Sequence, residues 1–264
     1  MNQFGCIPSG YDVRDYKLNI ADDSVPRQFE YPVLGIKNQK DTPRCTVFAS
    51  SELVEYCYYR INNQYIKFST DFIYAHKDDD TPGMKIRDAL KVLQIYGDVP
   101  DVMLSGNHDS TYARDKVEAN KEYLYPLAES HRISAYFKLV SIEDVKYAIC
   151  SCAPVIAGMH WCGGTIVDRY GQLSYDVTAG YTNHAVLIIG YNSIGFVVQN
   201  SWGKAWGKDG TFLIPYQDYY ELVFEAYGVT NNMEIIKYPK IKNKILYITI
   251  NKIVNGVKHL WWNR

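Results

Sequence analysis

The chain has 264 residues, 47% of them hydrophobic and 22% charged, with a formal net charge of −1. That size and balance suit a globular protein of one large domain or two lobes. The near-neutral charge argues against nucleic acid or an anionic membrane surface as a partner, and no run is apolar for long enough to span a bilayer.

The first residues, "MNQFGCIPSGYDVRDY", show no basic region followed by an apolar core, so no signal peptide is expected. Six cysteines occur, at 6, 45, 57, 150, 152 and 162. In a chain of this length without a leader they read as reduced thiols, which points to the cytoplasm or a virion. Residues 1 to 37 are broken by Pro8, Pro26 and Pro32 and read as an irregular arm.

At Cys45 the pattern turns helical, with Cys45, Ala49, Leu53 and Cys57 at four-residue spacing. A second helix is predicted over 86–97, stopped by Gly97. Between 101 and 122 the chain reads as polar loop with weak helical character, and His108 in it as a solvated surface residue. Ser141 and Asp144 form a near capping box that opens a helix from Ile142 to about Cys150. Then come short β-branched and aromatic runs, "APVIAGM", "HAVLIIGYN", "GFVVQN" and "GTFLIPY", punctuated by Gly and Asn. Helices first and antiparallel strands second predict an α+β protein of two lobes with a cleft between them. The tail, 238–264, alternates like a β extension and carries an Asn255-Gly256 turn signal. Its Leu260-Trp261-Trp262 run is a candidate docking surface for a protein partner.

A cysteine at a helix start is more often a buried hydrophobe than a nucleophile. For catalysis it needs a lowered thiol pKa, a base, an orienting group and oxyanion donors. A helix N-terminus favours thiolate, and His184 opens a strongly apolar strand where a polar imidazole needs a partner. A hairpin around residues 192–195 would pair Tyr191 with Phe196, and by extension Leu187 with Asn200. That ladder puts His184 and Asn200 on opposite faces, so joining them requires Asn200 to leave the strand in a bend.

Three blocks carry a resemblance: "NQ" with Cys45 six positions after Gln39, "NHAVLIIGYN", and "VVQNSWGKAWGKDGTF". They resemble the signature blocks of papain-like cysteine proteases, with further likeness to prokaryotic and viral branches rather than lysosomal cathepsins. The resemblance implies the papain-like two-lobed fold, with a helical left lobe at about 45–125 and an antiparallel β-barrel-like right lobe at about 126–237. Together these make a peptidase domain over 38–237, preceded by an arm (1–37) that could cross the cleft. It implies Cys45 as nucleophile, His184 as acid/base, Asn200 as its orienting group and Gln39 as oxyanion donor, with Trp202 shielding the Asn–His bond. Gly83 and Met84 would pair with substrate backbone, and Ile86, Asn183 and Ala185 would line the substrate cleft. The implied activity is hydrolysis of a polypeptide substrate through an acyl-thioester. Acyl transfer, isopeptide cleavage and a catalytically suppressed binding module stand as alternatives.

Two departures stand out. Thr42 occupies the place of a family cysteine, and Pro43-Arg44 replaces the usual Gly-Ser before the nucleophile. Cys150-x-Cys152 and His160-x-Cys162 lack the two-residue gaps of zinc cysteine pairs and sit where strands are routinely buried, so no metal and no cofactor are expected.

Overall fold

The computed structural model describes residues 5–12, 25–105 and 110–231. His108 and the 238–264 tail lie outside them. In chain order the elements are β1 (Cys6–Ile7), β2 (Phe29–Glu30), α1 (Cys45–Asn62), α2 (Thr70–Ala75), β3 (Met84–Lys85), α3 (Ile86–Ile95), α4 (Ser110–Ala119) and α5 (Lys121–Glu129). These are followed by β4 (Ala135–Leu139), α6 (Ile142–Ser151), β5 (Val155–Cys162), β6 (Ile166–Val167), β7 (Leu173–Ser174), β8 (Tyr181–Tyr191), β9 (Gly195–Gln199), β10 (Thr211–Pro215), α7 (Tyr216–Leu222) and β11 (Val223–Thr230).

Helix α1 is buried on every side from Cys45 to Tyr58, as a helix between two lobes must be. It ends where Asn63 turns left-handed (φ 49°) and its N–H caps Tyr59 O. The α3 stripe Ile86, Ala89, Leu90 and Leu93 is fully buried, and Gly97 stops it at φ +85°, where a Cβ would meet Ala128 O at 1.9 Å. The capping box of α6 is complete, with both Ser141–Asp144 bonds formed. The stretch read as polar loop contains a regular helix instead, α4. Ala113 and Val117, one turn apart, are buried, and Val117 packs in a small cluster with Phe72, Val99, Leu104 and Leu124. Ala113 and Val117 suffice because α2, α5 and the stretch from 99 to 104 supply the rest of the buried surface.

The second half forms an antiparallel seven-stranded sheet in the order β10-β9-β8-β5-β11-β4, with β2 added on β8. Hence a piece of the N-terminal arm completes the sheet. The chain is thus an α+β protein, with α1 packed against central strand β8. Among the described residues, no helix is long and apolar enough to cross a membrane.

Candidate active site

Cys45 is the first residue of α1 and fully buried. The Gly5 backbone N–H donates to its sulfur at 3.3 Å, and the backbone N–H groups of Ala185, Gly5 and Thr46 favour its thiolate. Ala185 follows His184 on β8, the strand against which α1 packs. His184 is also fully buried, and its Nε2–H donates to Asn200 Oδ1 at 2.8 Å. The Ser201 N–H donates to the same oxygen at 2.8 Å, which fixes the amide from behind. With Nε2 engaged, proton exchange with a thiol falls to Nδ1.

The pairing of His184 with Asn200 is achieved differently from the bend predicted from the hairpin. The turn does pair Tyr191 with Phe196 and Gly190 with Val197, but Ile188 then pairs with Val198 and Leu187 with Gln199. Ile189 is an extra residue on β8, a β-bulge that shifts the register by one. Extended past Gln199, the shifted ladder sets Asn200 opposite Val186, on the same face as His184. The bulge brings the faces into line, and Asn200 itself lies just past the end of β9, before a bend at Ser201.

Gln39 is fully buried, beside the strand end that carries Asn200. Its N–H donates to Ser201 O (2.8 Å), its Oε1 accepts from Ser201 Oγ (2.7 Å), and its Nε2 donates to Thr42 O (2.9 Å). Asn38 and Trp202 form an antiparallel bridge next to it. Trp202 stacks on His184 with ring centroids 4.8 Å apart and planes at 27°. Trp161, on β5, meets Trp202 edge-on at 4.7 Å and His184 at 5.7 Å. Trp161 escaped the sequence reading; its alternation with Met159, which pairs with His184, was the available signal.

The dipeptide Pro43-Arg44 has a structural account. Arg44 is 2% exposed, its Nη1 donates to Asp71 Oδ1 of α2 at 2.5 Å, and its guanidinium lies 4.1 Å from the Tyr74 ring centroid. The start of α1 is thereby tied to α2 by an ion pair, at a loop where Thr42 offers no cysteine for a covalent tie.

Residues 5–10 run over this site. β1 pairs in parallel with β3, Cys6 opposite Met84. The Gly5 N–H donates to Cys45 Sγ at 3.3 Å, and Gly5 O accepts from Met84 N–H at 2.8 Å. A Cβ at Gly5 would lie 2.0 Å from Pro43 O, and one at Gly83 would lie 2.3 Å from Gly5 O. Only glycines permit this approach. Farther along, Ser9 N–H and Oγ donate to Glu225, while Arg87 Nη1 and Nη2 donate to the carbonyls of Ser9 and Gly10. The roles of Glu225 and Arg87 were not legible in the sequence.

Of the predicted cleft residues, Met84 is buried opposite Cys6 of β1, Ile86 and Ala185 are buried, and Asn183 is half-buried with its Oδ1 accepting from His160 Nδ1 at 3.1 Å. The electrostatics follow from burial. Burial raises the Cys45 thiol pKa, partly offset by the three N–H groups, and burial lowers His184 to about 4 against the Asn200 bond. The two groups are therefore neutral together at pH 7. All six cysteines are free thiols, and among the described residues no three His, Cys, Asp or Glu side chains gather in a metal-binding arrangement.

The profile of the papain family cysteine proteases matches residues 22–234. The chain belongs to this family. Rat cathepsin Q (Rattus norvegicus) is 30% identical over 112 residues, which is 39% of this chain and 32% of that protein. An uncharacterized peptidase C1-like protein of Acanthamoeba polyphaga mimivirus is 26% identical over 53% of this chain and 48% of its own length. The chain thus spans about a third and about half the length of these two relatives. In three dimensions it is similar to xylellain, a cysteine protease from Xylella fastidiosa, with TM-score 0.70 and 22% identity, over 87% of this chain and 96% of that one. The papain-like fold is common to both.

Proposed function

We propose that the chain is a cysteine peptidase that hydrolyses polypeptides through an acyl-thioester on Cys45, and that its residues 5–10 hold it latent. The observation that carries the reading is a buried His184 whose Nε2 is held by Asn200 at 2.8 Å, on the strand that packs against the helix opened by Cys45. In that geometry His184 Nδ1 takes the thiol proton and returns it to the leaving amine. Asn200 keeps the imidazole in one tautomer, and Trp202 and Trp161 exclude water from the pair. Gln39 Nε2, turned from Thr42 O, and the Cys45 N–H stabilise the oxyanion, a contribution of roughly 3 kcal/mol per donor. Water, deprotonated by His184, then releases the acyl group.

Latency has two supports. What faces Cys45 Sγ is the Gly5 N–H, so the arm offers a donor rather than an attackable carbonyl carbon. The arm also occupies the Met84 backbone that a substrate strand would use, so Gly83, Met84, Ile86, Asn183 and Ala185 serve as substrate contacts once it leaves. Its departure admits water, which shifts the neutral pair toward thiolate and imidazolium. The free thiols suit a reducing compartment, cytoplasm or virion interior, and the tail is a docking segment.

Cys45→Ala tests the reading. Peptide hydrolysis by the wild-type chain, after limited proteolysis in the arm, should disappear in the variant. Hydrolysis that survives the substitution contradicts it.

A further inference from the structure

Cys6 has no part in peptide hydrolysis, yet it is the one thiol of the arm and adjoins the residue that touches Cys45. It follows Gly5, whose N–H donates to Cys45 Sγ at 3.3 Å, and it is 5% exposed. The Thr46 hydroxyl, on the residue after Cys45, donates to Met84 O at 2.8 Å, and Met84 is the residue that Cys6 faces across the β1–β3 ladder, so one hydrogen bond joins the two cysteines' neighbourhoods. The seat is defined on both sides: Cys6 pairs with Met84 and Ile7 with Lys85 in the β1–β3 ladder, and Ser9 is anchored on Glu225. Each return of the arm therefore brings the same sulfur to the same place.

We propose that Cys6 is a resolving cysteine for Cys45, forming with it a reducible disulfide when Cys45 is oxidised by a hydroperoxide. The proposal rests on the reading of Cys45 as a reactive thiol that the arm alternately covers and exposes. In the exposed state the Cys45 thiolate attacks hydrogen peroxide, the O–O bond breaks, and Cys45 sulfenic acid and hydroxide form. As the arm reseats, the Cys6 sulfur attacks the sulfenic sulfur. The S–S bond forms, the S–O bond breaks, and the Cys6 proton leaves with the hydroxyl as water. One peroxide is reduced to two waters and two thiols are oxidised to one disulfide. Two consequences follow: Cys45 is kept from the irreversible sulfinic state, and the arm is fixed over the site until a thiol reductant releases it. Under the arm, burial is the main cause that raises the Cys6 pKa, and a negative charge on Cys45 or Glu225 would raise it further, which keeps the covered pair unreactive.

The test uses the full chain, reduced, then exposed to hydrogen peroxide, blocked with an alkylating agent, digested without reductant and analysed by mass spectrometry. A Cys6–Cys45 linked peptide is expected, and dithiothreitol should restore epoxide labelling of Cys45. In Cys6→Ser and in Cys6→Ala, each normalised to its own reduced protein, recoverable Cys45 labelling should fall at least about tenfold as the sulfinic form accumulates. No linked peptide, with equal recovery in all three chains, overturns the proposal. The two layers separate cleanly. Epoxide labelling and hydrolysis without a bridge remove the resolving role alone, whereas a bridge in a chain that, once reduced and cleaved in the arm by limited proteolysis, neither labels nor hydrolyses removes the peptidase reading instead.

Discussion

Gly5→Ala should open the site without touching it. The added Cβ would stand 2.0 Å from Pro43 O and 2.9 Å from Pro43 Cα, both backbone atoms of the loop that leads into Cys45. Neither can yield as a flexible side chain would, so the arm must lift. Overpacking of this kind costs about 1–3 kcal/mol. The lift also forfeits the Gly5 N–H bond to the thiol and the Met84 N–H bond to Gly5 O. If labelling of Cys45 occurs only from the lifted state, its rate scales with that state's population. At 1.4 kcal/mol per decade, the rate should rise roughly 5- to 150-fold, levelling off once the arm is mostly off. The assay is the initial rate of epoxide modification, with the modified cysteines identified by mass spectrometry. Modification confined to Cys45 and Cys6 reports arm release, whereas labelling that extends to buried Cys57 reports unfolding. Ser9→Ala, which removes the hydroxyl bond to Glu225, provides a milder step of about fivefold, from ~1 kcal/mol. An unchanged Cys45 rate in Gly5→Ala, with the fold intact, would refute the idea that residues 5–10 gate the thiol.

Two further outcomes follow from buried charge. Asp71→Asn leaves the Arg44 guanidinium buried without its counter-charge and should cost about 3–5 kcal/mol in denaturant unfolding, with the double variant Arg44→Gln/Asp71→Asn recovering part of it; a loss under about 1 kcal/mol contradicts the anchoring role. Glu52 is raised by burial from 4.5 to about 8, with Lys37 lowering it and Glu55 raising it. Its folded pKa lies above the unfolded one, so its contribution is full below about pH 4.5 and is lost as pH rises through about 8. Glu52→Gln should therefore gain stability relative to wild type between pH 5 and 8, measured as unfolding midpoints across that window. Parallel curves would contradict the shift.

What could be read from the sequence and what could not divide along a physical line. Cys45, Gln39, His184, Asn200 and Trp202 sit in short motifs that resemble the family's, and α1, α3, α6 and strands β5, β8, β9 and β10 announce themselves by period, β-branched run and cap, whereas the eight-residue β11 did not. Features that depend on pairing between distant segments did not announce themselves. The Ile189 bulge leaves no mark in a run of isoleucines, yet it decides which face Asn200 shares. Helix α4 is polar except for Ala113 and Val117, whose meaning depends on the Phe72 cluster. Arg44 stood in the sequence only as a departure from the family's Gly-Ser, and its buried role shows once α2 places Asp71 and Tyr74 against it. Gly5 looked like one more residue of an irregular arm, and only the Pro43 carbonyl beside it shows why it carries no side chain.

The central claim is covalent chemistry at Cys45. Acid quenching during turnover of an activated ester substrate, followed by peptide mapping, tests it most directly. The account predicts an acyl mass on the Cys45 peptide that decays as product forms, and that is absent when Cys45 is replaced by alanine. Product formation with no acyl adduct at Cys45, continuing in the alanine variant, would contradict it.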